Sequence, residues 1–156
     1  MSNTIYVSTS RRNDQQTRAL LSIHIDGASR GNPGYSGIGI VITKDNDRIA
    51  EYKEFIGMKT NNQAEYIALK KALEIASTIE DEITVLSDSE LVINQRMHYY
   101  KVRNKQLKVL FREISNLEKY FRTVIYRHIP REVNTYADSL ANQAIDERIK
   151  YKDDSG

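Results

Sequence analysis

Thr60-Asn61-Asn62-Gln63-Ala64-Glu65-Tyr66 opens the most strongly helical stretch of the chain and sets a carboxylate where a packed helix would not place one. Downstream, Ala68, Leu69, Ala72, Ala76 and Ile79 recur at the spacing of a core-facing stripe, because residues three and four apart share one side of an α-helix. Glu65 falls on that stripe. An ionised side chain directed into a packed interface is costly unless it is paired or holds a cation. Glu65 therefore snorkels, pairs or does chemistry, and the rest of the chain decides between these. Thr60 with Gln63 has the form of a capping box that does not need Glu65. The helix is expected over about Asn61 to Ser77, with Glu65 in its first turn.

Upstream of the helix, Leu21, Ile23 and Ile25 alternate with Ser22, His24 and Asp26, the period of a strand from Leu20 to Asp26. Asp26 ends it. Gly27-Ala28-Ser29-Arg30-Gly31-Asn32-Pro33-Gly34 has turn composition, and Gly37 to Thr43 with its β-branched run is a second strand. Asp45-Asn46-Asp47 turns the chain into Arg48 to Gly57, so these two strands form a hairpin. Downstream, Glu82 to Ser87 is a short apolar strand reached by a crossover, hence parallel to the first. Ser87-Asp88-Ser89-Glu90 offers N-cap chemistry for a helix to about Met97, and His98 to Asn104 is a basic connection. Lys105 to Tyr120 is helical, Phe121 to Ile129 a fifth strand, and Thr135 to about Lys150 a final helix. The order β-β-β-α-β-α-α-β-α gives an α/β fold: a five-stranded mixed sheet, three strands antiparallel and two parallel, flanked by helices.

At 156 residues, 40% hydrophobic and 28% charged, the sequence suits one domain able to bury a core. We expect residues 19–150 to form it, with polar tails at 1–18 and 151–156. The absence of cysteine excludes disulfides, thiol catalysis and thiolate metal sites. No apolar run is long enough to span a bilayer, and the polar N-terminus lacks a signal peptide's apolar segment, so a cytoplasmic protein with no membrane contact is expected; a monomer is expected as well. The net charge of +2 names no partner, but Arg96, Lys101, Arg103, Lys105, Lys108, Arg112, Lys119, Arg122, Arg127 and Arg131 face only Glu113 and Glu118. That half suits a polyanion, or else it is a solvated lysine-rich helix.

Parallel neighbouring strands bring Asp26 and Asp88 to one edge, where ligands of open α/β sheets bind. The hairpin returns the chain so that Glu65 starts near the same edge, and Asp138, in the first turn of the last helix, follows the fifth strand there. Singly, each acid has an ordinary reading: Asp26-Gly27 a turn, Asp88 an N-cap, Glu65 the capping partner of Asn62, Asp138 a surface acid near a helix N-terminus. Jointly these fail, because like charges about 4 Å apart repel by roughly 1 to 4 kcal/mol per pair. Clustered carboxylates need protons or a cation, and with oxygen ligands only, Mg²⁺ or Mn²⁺ is suited.

Asp26-Gly27-Ala28-Ser29 with Gly31-Asn32-Pro33-Gly34, then Thr60 to Glu65, then Ser87-Asp88-Ser89, then Asn134-Thr135-Tyr136-Ala137-Asp138 resemble, in order, the type 1 ribonuclease H family. The resemblance covers about Leu20 to Ile149 and implies hydrolysis of the RNA strand of RNA/DNA hybrids, with double-stranded RNA a further candidate substrate. It implies that Asp26 bridges two Mg²⁺ ions, with Mn²⁺ a substitute, that Glu65 and Asp88 complete one site and Asp138 the other, and that products carry 5′-phosphate and 3′-hydroxyl ends. It also implies that Gly27, Ser29, Asn61 and Asn62 read the ribose 2′-hydroxyl, which distinguishes RNA from DNA, and that Thr60, Asn62 and Ser89 grip the DNA phosphate. His128 sits at the matching distance from Asp138 for proton transfer or product release, with Arg127 or Arg131 as alternatives. Lys101, Arg103 and Lys105 are expected to bind substrate.

The sequence departs from the family in three places. The long basic protrusion of some members is missing, since only His98 to Asn104 connects the middle helices; Glu90 follows Ser89 in place of an uncharged polar residue; and Ile129-Pro130-Arg131-Glu132-Val133 lacks the family's glycines. Two other readings compete with a nuclease of this type. One is a non-catalytic hybrid-binding module. The other is a related 3′ exonuclease, which expects a second acid two residues after the first Asp, where Ala28 stands.

Overall fold

The computed structural model of the protein describes residues 5–6 and 21–155, with side chains described for 21–151. Its strands are β1 (Ile5–Tyr6), β2 (Leu21–Gly31), β3 (Gly34–Lys44), β4 (Asp47–Lys59), β5 (Glu82–Ser87) and β6 (Thr123–His128). Its helices are α1 (Asn61–Ala76), α2 (Glu90–Arg96), α3 (Lys105–Glu118) and α4 (Thr135–Ser155), with a 3₁₀ turn at Arg131–Val133 before α4. The sheet order is β1-β6-β5-β2-β3-β4. The hairpin strands pair antiparallel and β2, β5 and β6 pair parallel, so the expected five-stranded mixed sheet is present.

Beyond small shifts at the element ends, four features differ from the sequence reading. β2 does not stop at Asp26: its pairing with β3 runs on to Gly31↔Gly34, leaving only Asn32-Pro33 as the turn. Glycine and serine made that stretch look like a loop, yet Ala28, Ser29 and Arg30 lie extended against Gly37, Ser36 and Tyr35. What does end near Asp26 is the parallel ladder with β5, whose last pair is Ile25↔Ser87. Ile5 and Tyr6, placed in the N-terminal tail, add a short parallel strand on the open edge of β6, two residues being too few to show a period. The remainder of that tail lies outside the described residues. Ile79 lies past the end of α1 and is 39% exposed, and α4 continues beyond Lys150 to Ser155 because neither Gly nor Pro interrupts it.

Side-chain alternation along β3 divides the fold into two layers. Ile38, Ile40 and Ile42 join the main core with Leu21, Ile23 and Ile25 of β2 and with Tyr66, Leu69, Ala72 and Leu73 of α1. The intervening positions Gly37, Gly39 and Val41 face α4, where Val41, Ala137 and Leu140 form a small second core. Backbones nearly touch here, since a Cβ on Gly39 would lie 2.1 Å from the Ala137 carbonyl oxygen. On the other layer, a Cβ on Gly27 would lie 2.3 Å from the Ala64 carbonyl carbon.

A buried ion pair closes the far side of the molecule. Arg96 of α2 meets both oxygens of Glu118 at 2.5 and 3.2 Å and stacks over Phe111 at 4.4 Å, while Tyr126 donates its hydroxyl to the same carboxylate at 2.5 Å. This ties α2, α3 and β6 together. Among the described residues no helix is long and apolar enough to cross a membrane.

The close approach at Gly39 predicts that Gly39→Ala destabilises the chain by about 1 to 3 kcal/mol, the range for overpacking a filled contact. Urea unfolding of the variant checks it, and an unchanged midpoint would mean that α4 does not rest on β3 as described.

Candidate active site

Past the last β2–β5 pair, the next residue on each strand is an acid, Asp26 on β2 and Asp88 after β5. Glu65 reaches them from α1. Thr60 is the N-cap of that helix: its hydroxyl accepts from the Gln63 N–H at 3.1 Å, and the Gln63 side-chain carbonyl accepts from the Thr60 N–H at 2.8 Å. Asn62 and Glu65 therefore form no capping box. With α1 beginning at Asn61, its first turn holds no acid, and Glu65 sits one turn further in than the sequence reading placed it. Ser89, not Asp88, caps α2, accepting from the Val92 N–H at 3.3 Å, so capping does not account for Asp88 either.

The three carboxylates converge: one oxygen from each of Asp26, Glu65 and Asp88 lies within 4.8 Å of the others. Asp26 and Glu65 are each only 5% exposed. Burial, then the charges of Glu65 and Asp88, then the hydrogen-bonded Asp138 carboxyl push Asp26 up to about 9. Burial likewise pushes Glu65 up to about 8, with Asp88 and Asp138 adding to the rise, while the Gly27 N–H at 2.7 Å and the Arg131 charge oppose it. Asp138, exposed on the first turn of α4, stands outside the tight group of three but within hydrogen-bonding reach of Asp26.

Such a donor set fits a divalent cation. All its ligands are hard oxygens, and two of the acids hold protons at neutral pH because burial and the neighbouring carboxylates raise their pKa values, the Gly27 N–H and the Arg131 charge offsetting only part of the rise at Glu65. A cation held there would replace those protons. The ion's identity is not fixed by the donors, since Mg²⁺ and Mn²⁺ both prefer oxygen.

Around this centre the other sequence-selected residues fall into two groups. Near it, Ser29 donates its hydroxyl to the Lys59 carbonyl at 2.9 Å, and the Asn61 N–H donates to Asn32 Oδ1 at 3.1 Å, so the β2–β3 hairpin tip holds the start of α1. Two amides expected to read the 2′-hydroxyl are thus already engaged, Gly27 by Glu65 and Asn61 by Asn32. Asn62 is exposed at the same helix start. The Thr60 hydroxyl has accepted a bond but keeps its own proton to donate, so capping and phosphate contact are compatible.

Further out, Lys101 and Arg103 on the α2–α3 connection and Lys105 at the start of α3 are exposed. Gln63 and Gln106 bond at 2.6 Å, bringing the start of α3 beside the start of α1. His128 is half-buried at the end of β6, opposite Ser87.

Sequence reasoning missed Asn134. It is 1% exposed, and its Nδ2 donates both to the Ile25 carbonyl at 2.9 Å and to Asp88 Oδ2 at 3.0 Å. An asparagine before a helix looks like a cap, and nothing local signals a bond to a carbonyl 109 residues away.

A family model described as "Reverse transcriptase-like" matches residues 24–144. A bifunctional protein of Mycobacterium tuberculosis is 44% identical over 127 residues, 80% of this chain, which spans 35% of that protein's length. Ribonuclease HI of Helicobacter pylori is 34% identical over 141 residues, covering 83% of this chain and 96% of that one. The crystal structure of LC11-RNase H1 in complex with an RNA/DNA hybrid matches with a TM-score of 0.79 at 40% identity, over 83% of this chain and 99% of that one. With this fold, these acids at the strand ends and these relatives, the chain belongs to the type 1 ribonuclease H family.

Proposed function

We propose that the protein is a metal-dependent endoribonuclease that hydrolyses the RNA strand of RNA/DNA hybrids and leaves 5′-phosphate and 3′-hydroxyl ends. The observation that carries this reading is the close group of Asp26, Glu65 and Asp88, in which burial and the neighbouring carboxylates raise the pKa values of the first two above neutrality. A relative 40% identical in sequence, crystallised with such a hybrid, names the substrate class.

In this reading Asp26, Glu65, Asp88 and Asp138 would hold two Mg²⁺ ions, Asp26 serving both, Glu65 and Asp88 one and Asp138 the other. Two bound divalent cations supply activation of water on one side of the phosphate and charge stabilisation of the leaving 3′ oxygen on the other. The chain's own part is placement. The Gly27 N–H holds one Glu65 oxygen and the Asn134 amide holds one Asp88 oxygen, so each carboxylate meets the site in a fixed orientation. Asn62 and the Thr60 hydroxyl, at the exposed start of α1, and Ser89, at the start of α2, face substrate in this reading. His128 serves proton transfer or product release. Lys101 and Arg103 on the α2–α3 connection and Lys105 at the start of α3, which Gln106 ties to α1, take up the nucleic-acid backbone, a sequence-independent contact.

Three outcomes test the reading. On a labelled hybrid with Mg²⁺, we expect EDTA to stop cleavage and Asp88→Asn to lower it by about a hundredfold or more. Cleavage that survives either treatment would sink the metal account, and salt-sensitive binding without turnover at any Mg²⁺ or Mn²⁺ concentration would make the chain a binding module.

The second outcome concerns pH. Asp26 and Glu65 have folded pKa values near 9 and 8, against about 4 in the unfolded chain. The folded state therefore holds protons that the unfolded state gives up, so these two groups contribute most at acid pH and lose stability as pH rises toward 8 and 9. Without metal, Asp26→Asn should be more stable than wild type by about 2 to 4 kcal/mol at neutral pH, and the gap should widen from pH 5 to 9. A gap that closes as pH rises contradicts the clustering.

Third, neutralising Lys101, Arg103 and Lys105 together should raise KM and flatten its salt dependence while kcat stays nearly constant. Steady-state kinetics at two ionic strengths decide it, and a fall confined to kcat would count against a binding role.

A further inference from the structure

We propose that Asn134 is a positioning residue which fixes the mutual placement of Asp26 and Asp88, and that the cation affinity of the site depends on it. The inference rests on the reading that these carboxylates hold a divalent cation.

The parallel ladder that aligns β2 with β5 ends at Ile25↔Ser87. Asp26 and Asp88 come immediately after it, where the two strands no longer bond to one another. Asn134 bridges this gap with a single atom: Nδ2 donates to the carbonyl of the residue before Asp26 at 2.9 Å and to Asp88 Oδ2 at 3.0 Å. The same residue also anchors the helix that carries Asp138, since its backbone carbonyl accepts from the Asp138 N–H at 3.1 Å. One buried residue thus links three of the elements that bear the acids, two through its side chain and one through its backbone.

The chemistry demanded at this position is narrow. Two acceptors must be met by two donors, and no negative charge can be added to a group already short of counter-charge. A primary amide on a short arm supplies both protons and remains neutral. A carboxylate has no donor, and a hydroxyl has one.

What the amide leaves behind supports the assignment. With both protons committed, Asn134 Oδ1 is buried and makes no hydrogen bond. An unsatisfied buried acceptor is uncommon and unfavourable. It persists here because the amide plane is held from its nitrogen side, and rotating the plane to satisfy the oxygen would break both bonds that span the gap.

An asparagine that merely docked α4 onto the sheet would affect folding alone. Titrating Mg²⁺ into the metal-free chain by calorimetry, beside thermal unfolding without metal, separates the two roles in Asn134→Ala and Asn134→Ser. For a positioning role, Asn134→Ala raises the Mg²⁺ concentration at half-saturation by about 10 to 100-fold, the usual range when a partner of a metal ligand is lost. Asn134→Ser, keeping one donor, falls between Ala and wild type, and it carries the test alone if Asn134→Ala does not fold. The KM for hybrid at saturating Mg²⁺ stays near wild type in the folded variants. A variant with a lowered melting temperature and a wild-type Mg²⁺ midpoint overturns the proposal and leaves Asn134 a docking residue. Wild-type chain that takes up no Mg²⁺ overturns the metal reading itself, and this inference with it.

Discussion

Both helices that bring acids to Asp26 do so through backbone contact at a glycine. Gly27 lets the second turn of α1 approach β2, and Gly39, the cross-strand partner of Asp26, lets α4 approach β3. A β-carbon at either position would overlap helix backbone, so no rotamer change could relieve it. The consequence is electrostatic. Pressing Ala64 against Gly27 brings Glu65 onto the Asp26 side of the sheet edge, where the Gly27 N–H receives one of its oxygens. Seating Ala137 against Gly39 brings Asp138, the next residue, to the same aspartate. Close packing therefore produces both the burial and the charge crowding that raise the two pKa values.

The two sides of this arrangement differ in support. Asp26, Glu65 and Asp88 stand on β2, α1 and the end of β5, all anchored in the main core. Asp138 stands on α4, which rests on the opposite face of the sheet through Val41, Ala137 and Leu140 and through Ala141 and Ile145 against Gly37, and it remains exposed. On the far side, the short basic connection is tied back by polar bonds: Gln95 Nε2 donates to the Lys101 carbonyl at 3.3 Å, and Tyr66 donates its hydroxyl to Gln95 Oε1. Tyr66 follows Glu65 on α1. A chain without a protrusion thus keeps its basic segment in register with the helix that carries a candidate metal ligand.

The sequence made these relations partly legible. Strands β2, β3 and β5 follow from β-branched runs and alternation, and the capping box at Thr60 and Gln63 is local chemistry that a sequence displays directly. Glu65 was conspicuous because a charge interrupts an apolar stripe. Composition failed at Gly27 to Gly34, where small residues serve close packing and an extended hairpin as well as turning. It also failed to reveal Asn134, whose partners Ile25 and Asp88 are distant in sequence and include a main-chain carbonyl. Periodicity reports which face is buried; it carries no record of a side-chain amide bonded across two strand ends.

Under the proposed function, cation binding and proton binding compete for the same oxygens. Asp26 and Glu65 hold protons in the metal-free chain because burial and crowding disfavour their charge. A divalent ion must displace those protons, so its apparent affinity rises with pH until both groups are ionised. The same ion would remove the cost of keeping these groups protonated at neutral pH, so cation binding would stabilise the folded state by linkage. The glycines that force the acids together therefore impose a strain that the cation relieves, and the energy of that relief contributes to holding the ion. Substituting either glycine would lessen the crowding and weaken the reason for a cation to bind there, even with every carboxylate retained.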